Sequence, residues 1–142
     1  MERTYDIVTP EEITEGRATD AYFERTETIL EGEGVNPEVV AEVGEVVETP
    51  HVFVGLKDVA NLLEGTGVDL YALPEGSIFE RAPVMRIEGN YADFGRYETS
   101  VLGFICRASA VASATARLKA AAGDVPVVSF GTRREHPTTA AM

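Results

Sequence analysis

Phe130, Gly131, Thr132, Arg133 and Arg134 lie in the stretch VVSFGTRREHP (residues 127–137), whose residue types and spacing best suit ligand chemistry. Two guanidinium forks can each match a carboxylate or phosphate with parallel hydrogen bonds. Gly131 lets a ligand approach the backbone, and Thr132 adds a hydroxyl. His136 stands close by, but the following Pro137 suits it equally to a turn. Paired arginines also occur on ordinary solvated surface, so the reading depends on what holds the segment. No other catalytic set is complete. The sequence has no Walker loop, no G-x-S-x-G elbow and no paired His/Glu metal motif. His51 and His136 lack metal-ligand spacing, and the lone Cys106 rules out an internal disulfide framework. Cys106 falls on the apolar face of a helical pattern and reads as inert packing. No catalytic residue and no metal ligand is assigned.

The elements that must position this segment follow from periodicity. VPVVSF (residues 125–130) has the β-branched, apolar character of a buried strand, which would place Phe130 to Arg134 just past its C-terminal end. Ligands bind there in α/β folds. Before it, Phe94, Tyr97, Val101, Phe104, Ile105, Ala108, Val111, Ala112 and Thr115 recur at helical spacing, predicting a long helix over residues 94–122 closed by Gly123. Its small-residue run ASAVASATA would let another element approach closely. The middle of the chain is mixed. PEVVAEV, HVFVG and VMRIEG read as strands, with VVETP as strand and turn. VDLYAL, PEG and SIF read as a strand, a turn with Pro74 second and Gly76 fourth, and a return strand. LKDVANLLEGTG predicts a short helix burying Leu56, Val59, Leu62 and Leu63. At the start, Thr9 and Pro10 suit the N-cap and first position of a helix. ATDAYFERTETILEGEG predicts a second helix capped by Thr19 or Asp20, with Phe23, Thr26, Ile29 and Leu30 on one side, stopped by Gly32 and Gly34. In that pattern Tyr22 and Phe23 read as core aromatics.

Composition narrows the partners. The chain of 142 residues carries 24 acidic and 12 basic residues, a net charge of -12. That argues against non-specific binding to nucleic acid or anionic membrane. Ten of the twelve basic residues are arginine, and we read the acidic excess as salt adaptation, since self-repulsion is tolerable where the Debye length is short, with an ordinary acidic cytosolic protein as the alternative. The longest apolar region is broken by Arg107, Arg117 and Lys119, which argues against a simple membrane span, and no secretory signal is read at the start. A cytoplasmic protein is expected.

Four blocks occur in order: ATDAYFERT, LPEGSIFERAPVMRIEGNY, YETSVLGFICRASAVASATARL and VVSFGTRREHP. Together they resemble the N-terminal portion of the nicotinate phosphoribosyltransferases of archaeal type, with the quinolinate phosphoribosyltransferases as more distant kin. The resemblance implies an α+β fold: an N-terminal α/β sandwich domain over residues 1–124, followed over residues 125–142 by the first strand of a truncated α/β barrel. It implies transfer of a phosphoribosyl group from phosphoribosyl pyrophosphate to nicotinate, giving nicotinate mononucleotide in NAD salvage. Mg2+ accompanies the pyrophosphate substrate, and many members couple the reaction to ATP hydrolysis. It implies a homodimer with shared sites: Phe130 stacks on one face of the pyridine ring, and Tyr22 of the other subunit stacks on the opposite face. Arg133 contacts a carboxylate or phosphate, Arg134 assists, and Asp20 helps place Tyr22. The quinolinate enzymes carry an arginine in E-R-T at the start of the long helix, where this sequence reads Glu98-Thr99-Ser100. That departure favours a substrate with one carboxylate. Most of the barrel would lie outside this sequence, so the chain alone is expected to be inactive. A quinolinate enzyme and a non-catalytic dimerisation or binding module are the alternatives.

Overall fold

The computed structural model describes residues 7–44 and 49–137. Two helices open the chain, α1 (Pro10–Thr14) and α2 (Ala21–Glu33). Thr9 caps α1 as its sequence predicts: its hydroxyl accepts from Glu12 N–H at 3.2 Å, and the Glu12 carboxylate accepts from Thr9 N–H at 2.9 Å. The cap expected for α2 is not made. Asp20 holds the N-cap position without a side-chain cap bond, and the Thr19 hydroxyl is buried without a partner. Gly32 lies inside α2, and the helix stops at Gly34, which adopts the left-handed conformation.

Strand β1 (Glu38–Val43) alternates exposed and half-buried residues, as a strand with one covered face should. It pairs antiparallel with β5 (Met85–Asn90), which pairs in turn with β3 (Asp69–Ala72). The sheet order is therefore β1-β5-β3. A second, two-stranded sheet joins β2 (His51–Val52) to β4 (Ile78–Phe79). This corrects the expected return strand, since β4 turns away from β3 to meet β2. The turn between them is also shifted by one residue. Ser77 N–H donates to the Pro74 carbonyl, so Pro74 is the first residue and Gly76, at φ 85°, the third. A positive φ at the third position is the type II requirement that only glycine meets without strain. Of the expected strand and turn VVETP, residues 46–48 lie outside the described residues.

Helix α3 (Leu56–Leu63) buries Val59, Leu62 and Leu63 and half-buries Leu56, as its spacing predicts. These side chains join Phe53, Val84, Met85, Ile87, Phe94, Val101 and Ile105 in one core between the helices and the inner sheet face. The long helix begins in pieces: α4 (Tyr91–Phe94), a 3-10 turn (Gly95–Tyr97), then α5 (Glu98–Ala122). Its buried stripe differs from the apolar one. Val101 and Ile105 are buried, but further along the helix the buried residues are Ser109 and Ser113, and Val111 is exposed. The reason is the partner: this turn of α5 lies on the backbone of β2, which has few ladder partners of its own. Val52 N–H donates to Ser113 Oγ at 2.8 Å, and Val54 N–H to Ser109 Oγ at 3.0 Å. Ser109 Oγ donates back to the Val54 carbonyl at 3.1 Å. Close approach also sets Gly55, where a Cβ would meet the Phe104 carbonyl oxygen at 2.6 Å. By length and hydropathy residues 91–122 would suffice to cross a membrane, yet their buried stripe packs on β2 and α3.

Beyond Ser113 the helix is exposed on nearly every side, with Leu118 at 60%. Residues 125–130 then form no strand, which corrects the sequence reading. They are irregular, and Val125, Val127, Val128 and Phe130 are all exposed. A strand exists only as part of a ladder, and no described strand lies beside this segment to pair with it.

Candidate functional site

The sequence-derived residues fall into two separate groups. The first sits where the first turns of α2 and α5 meet. Tyr22 is half exposed, not a core aromatic, and its ring lies on that of buried Phe23 with centroids 4.1 Å apart. Asp20, two residues earlier, is tied to Thr99: the Thr99 hydroxyl donates to the Asp20 carboxylate at 2.9 Å and accepts from Asp20 N–H at 3.1 Å. Ser100 Oγ donates to the Ala18 carbonyl at 3.1 Å. Asp20, at the N-cap position of the helix that carries Tyr22, is thus joined to α5 through the Thr99 hydroxyl. The sequence marked Thr99 for the arginine that is missing there, while its bond to Asp20 carries no sequence signal.

This corner is acidic. The Glu98 carboxyl is raised above its usual range by partial burial and then by the Asp20 carboxylate. The Tyr22 phenol is raised by desolvation, with Glu98 and Asp20 adding to it. Tyr91 is raised by burial and by Glu98. Beside the corner, an open hollow of 460 Å³ lies between α1 and the start of α5, lined by Ile13, Ala18, Thr99, Ser100 and Phe104 among others.

The second group is the segment after α5. Gly123 reverses the chain, and Glu135 pairs with Arg107 of α5, so the tail runs back along the helix. Between them Gly131–Arg134 form a 3-10 turn, with Arg133 N–H donating to the Phe130 carbonyl at 3.3 Å. The turn sets the Arg133 guanidinium over the Phe130 ring, 5.2 Å from its centroid. Phe130, Thr132, Arg133 and Arg134 are all exposed. An exposed aromatic face beside an arginine fork can receive a flat ring that bears a carboxylate. Within one chain the ring neighbour of Tyr22 is Phe23, and the Phe130 ring carries Arg133. Among the described residues, no group of three or more His, Cys, Asp or Glu could hold a metal ion.

Residues 20–109 match the family described as quinolinate phosphoribosyl transferase, N-terminal domain. The chain belongs to that family. It contributes the N-terminal portion, the part to which Asp20, Tyr22 and Thr99 belong. Among solved structures it resembles the nicotinate-nucleotide pyrophosphorylase of Pyrococcus furiosus, with 45% identity and a TM-score of 0.93, over 96% of this chain and 36% of that one. Human nicotinic acid phosphoribosyltransferase shares the fold at 20% identity and a TM-score of 0.63, over 78% of this chain and 29% of that one. In sequence the chain is 36% identical over 73 residues to the nicotinate phosphoribosyltransferase of Bacillus subtilis (strain 168), covering 51% of this chain and 15% of that protein. Its relatives are thus several times longer than the part it matches.

Proposed function

We propose that this chain is the N-terminal part of a nicotinate phosphoribosyltransferase. The complete reaction joins nicotinate to the ribose C1 of phosphoribosyl pyrophosphate and releases pyrophosphate, forming nicotinate mononucleotide in the cytoplasm. The observation that carries the reading is the Arg133 guanidinium held over the exposed Phe130 ring. That pair offers one stacking face and one carboxylate anchor, which is the recognition nicotinate requires. Tyr22 of a second subunit would close the opposite face, and Arg134 would assist at a phosphate. The sequence relatives named for nicotinate support the same substrate, as does Thr99, which leaves no arginine for a second carboxylate.

The remaining chemistry asks for positioning more than for a nucleophile. Departure of pyrophosphate leaves an oxocarbenium-like ribose, stabilised by nearby anions and by a held leaving group. This chain's share is to hold the pyridine so that its ring nitrogen faces C1. Mg2+ and any ATP would be held by residues beyond those described. Residues 125–130 would gain their strand partners from such a longer polypeptide, and the short chain alone is expected to be inactive.

A second reading, a quinolinate enzyme, draws on the family description and on the pyrophosphorylase name of the Pyrococcus furiosus structure. Titration of the chain with nicotinate and quinolinate, followed by NMR, tests the choice. Nicotinate is expected to shift the Phe130, Arg133 and Tyr22 signals, and R133A to abolish the response. A stronger response to quinolinate would favour the second reading, and no response to either would remove both from this chain.

A further inference from the structure

Helix α2 is held weakly by apolar packing. Of its residues only Phe23 is buried, while Ile29 is 64% exposed. Yet its first turn presents Tyr22, so something else must fix its rotation and height. Glu27 lies one turn beyond Phe23 on the same face, and its carboxylate pairs with Nη2 of Arg96, from the 3-10 turn before α5. Arg96 Nη1 reaches the Glu15 carbonyl at the end of α1, at 3.5 Å.

The rest of the Arg96 side chain is confined. Its stem runs against Gly16, where a Cβ would meet Arg96 Cδ at 2.4 Å. Gly16 has φ 69°, so both space and backbone conformation select glycine there. Arg96 Nε is buried without a hydrogen-bond partner. A buried orphan donor persists where the surrounding contacts fix the group regardless. The neighbouring Tyr97 hydroxyl donates to the Thr14 carbonyl at 3.1 Å, so the same turn also grips α1.

We infer that Arg96 is a positioning residue that locks α1 and α2 to the start of α5 and so sets the pose of Tyr22. The inference rests on the reading of Tyr22 as a stacking face, but its pose can be measured without any ligand. The test compares the unmodified 142-residue chain with R96M, R96K and E27Q. Tyrosine-labelled NMR reads the Tyr22–Phe23 ring contact, amide exchange reads α2 against α5, and thermal melting reads the whole domain. R96M is expected to remove the ring contact and to speed exchange across α2 roughly tenfold, while the buried turns of α5 keep their protection. E27Q is expected to do the same in part. R96K keeps the charge but cannot reach both Glu15 and Glu27, so it should restore the melting temperature without restoring the Tyr22 signals. A purely structural arginine would move melting and both helices together. An unchanged Tyr22 contact and unchanged α2 exchange in folded R96M would overturn the inference. Should R96M fail to fold, the same result in E27Q would overturn it.

Discussion

Single hydroxyls and carboxylates decide more here than the apolar pattern suggests. Ser113 accepts from Val52 N–H and donates to the Ser109 carbonyl at 2.6 Å, with only 2% of its surface exposed. Ser113→Ala would leave a strand N–H without a partner in a dry place, at a cost of about 1–3 kcal/mol. Chemical denaturation of the variant checks this, and a loss under about 0.5 kcal/mol would show that another group takes over. The helical pattern named Val111 in place of these serines because it scores apolarity, whereas the surface opposite is a strand backbone that asks for hydrogen bonds. Glu98 makes a prediction of the opposite kind. Its carboxyl is raised in the folded state, so the native form holds its proton more tightly than the unfolded chain does. Its contribution to stability is full below the ordinary carboxylate range and is lost as pH rises through the raised value. E98Q is therefore expected to flatten stability against pH on the alkaline side of that range. A pH-stability profile equally steep in both proteins would assign the slope elsewhere.

At the scale of elements, legibility followed the source of each constraint. Helix α3 was readable because Leu56, Val59, Leu62 and Leu63 all face one core. Strand β1 was readable from its β-rich composition, while its alternation of exposed and half-buried residues belongs to the structure. The partner of β4 was not, since pairing with β2 is settled by the turn at Pro74 and by Phe53, whose N–H donates to the Ser77 carbonyl at 2.9 Å. Residues 125–130 have the composition of a strand without a neighbour to make it one. The site split in the same way: the types of Phe130 and Arg133 were legible, but the Thr99 bond to Asp20 spans 79 positions and leaves no local trace. The α3 N-terminus yields a test of such distant help. Gly55 N–H donates to the Glu75 carboxylate at 2.8 Å, and Lys57 N–H reaches it at 3.4 Å. An anion there satisfies free amides and suits the helix dipole. Glu75→Ala should cost about 1 kcal/mol, as loss of a cap does. Unaltered urea unfolding would show that solvent serves those amides equally well.

Across the whole molecule, charge is the dominant feature. A net charge of -12 on 142 residues is strongly self-repelling. Added salt shortens the reach of that repulsion to about 3 Å at 1 M. The melting temperature is accordingly expected to rise with salt, and a flat series would sink the reading of salt adaptation. The fastening between Arg107 and Glu135 has a geometric consequence. It closes a loop of chain that climbs the exposed turns of α5 and returns through Phe130. Each residue of an α-helix advances the chain about 1.5 Å and turns it about 100°. Removing one alanine from the solvent-exposed stretch 114–121 would touch no core contact, yet it would swing the Phe130 turn around to another side of the helix. Those plain alanines act as a ruler, and their number sets where the candidate arginines stand.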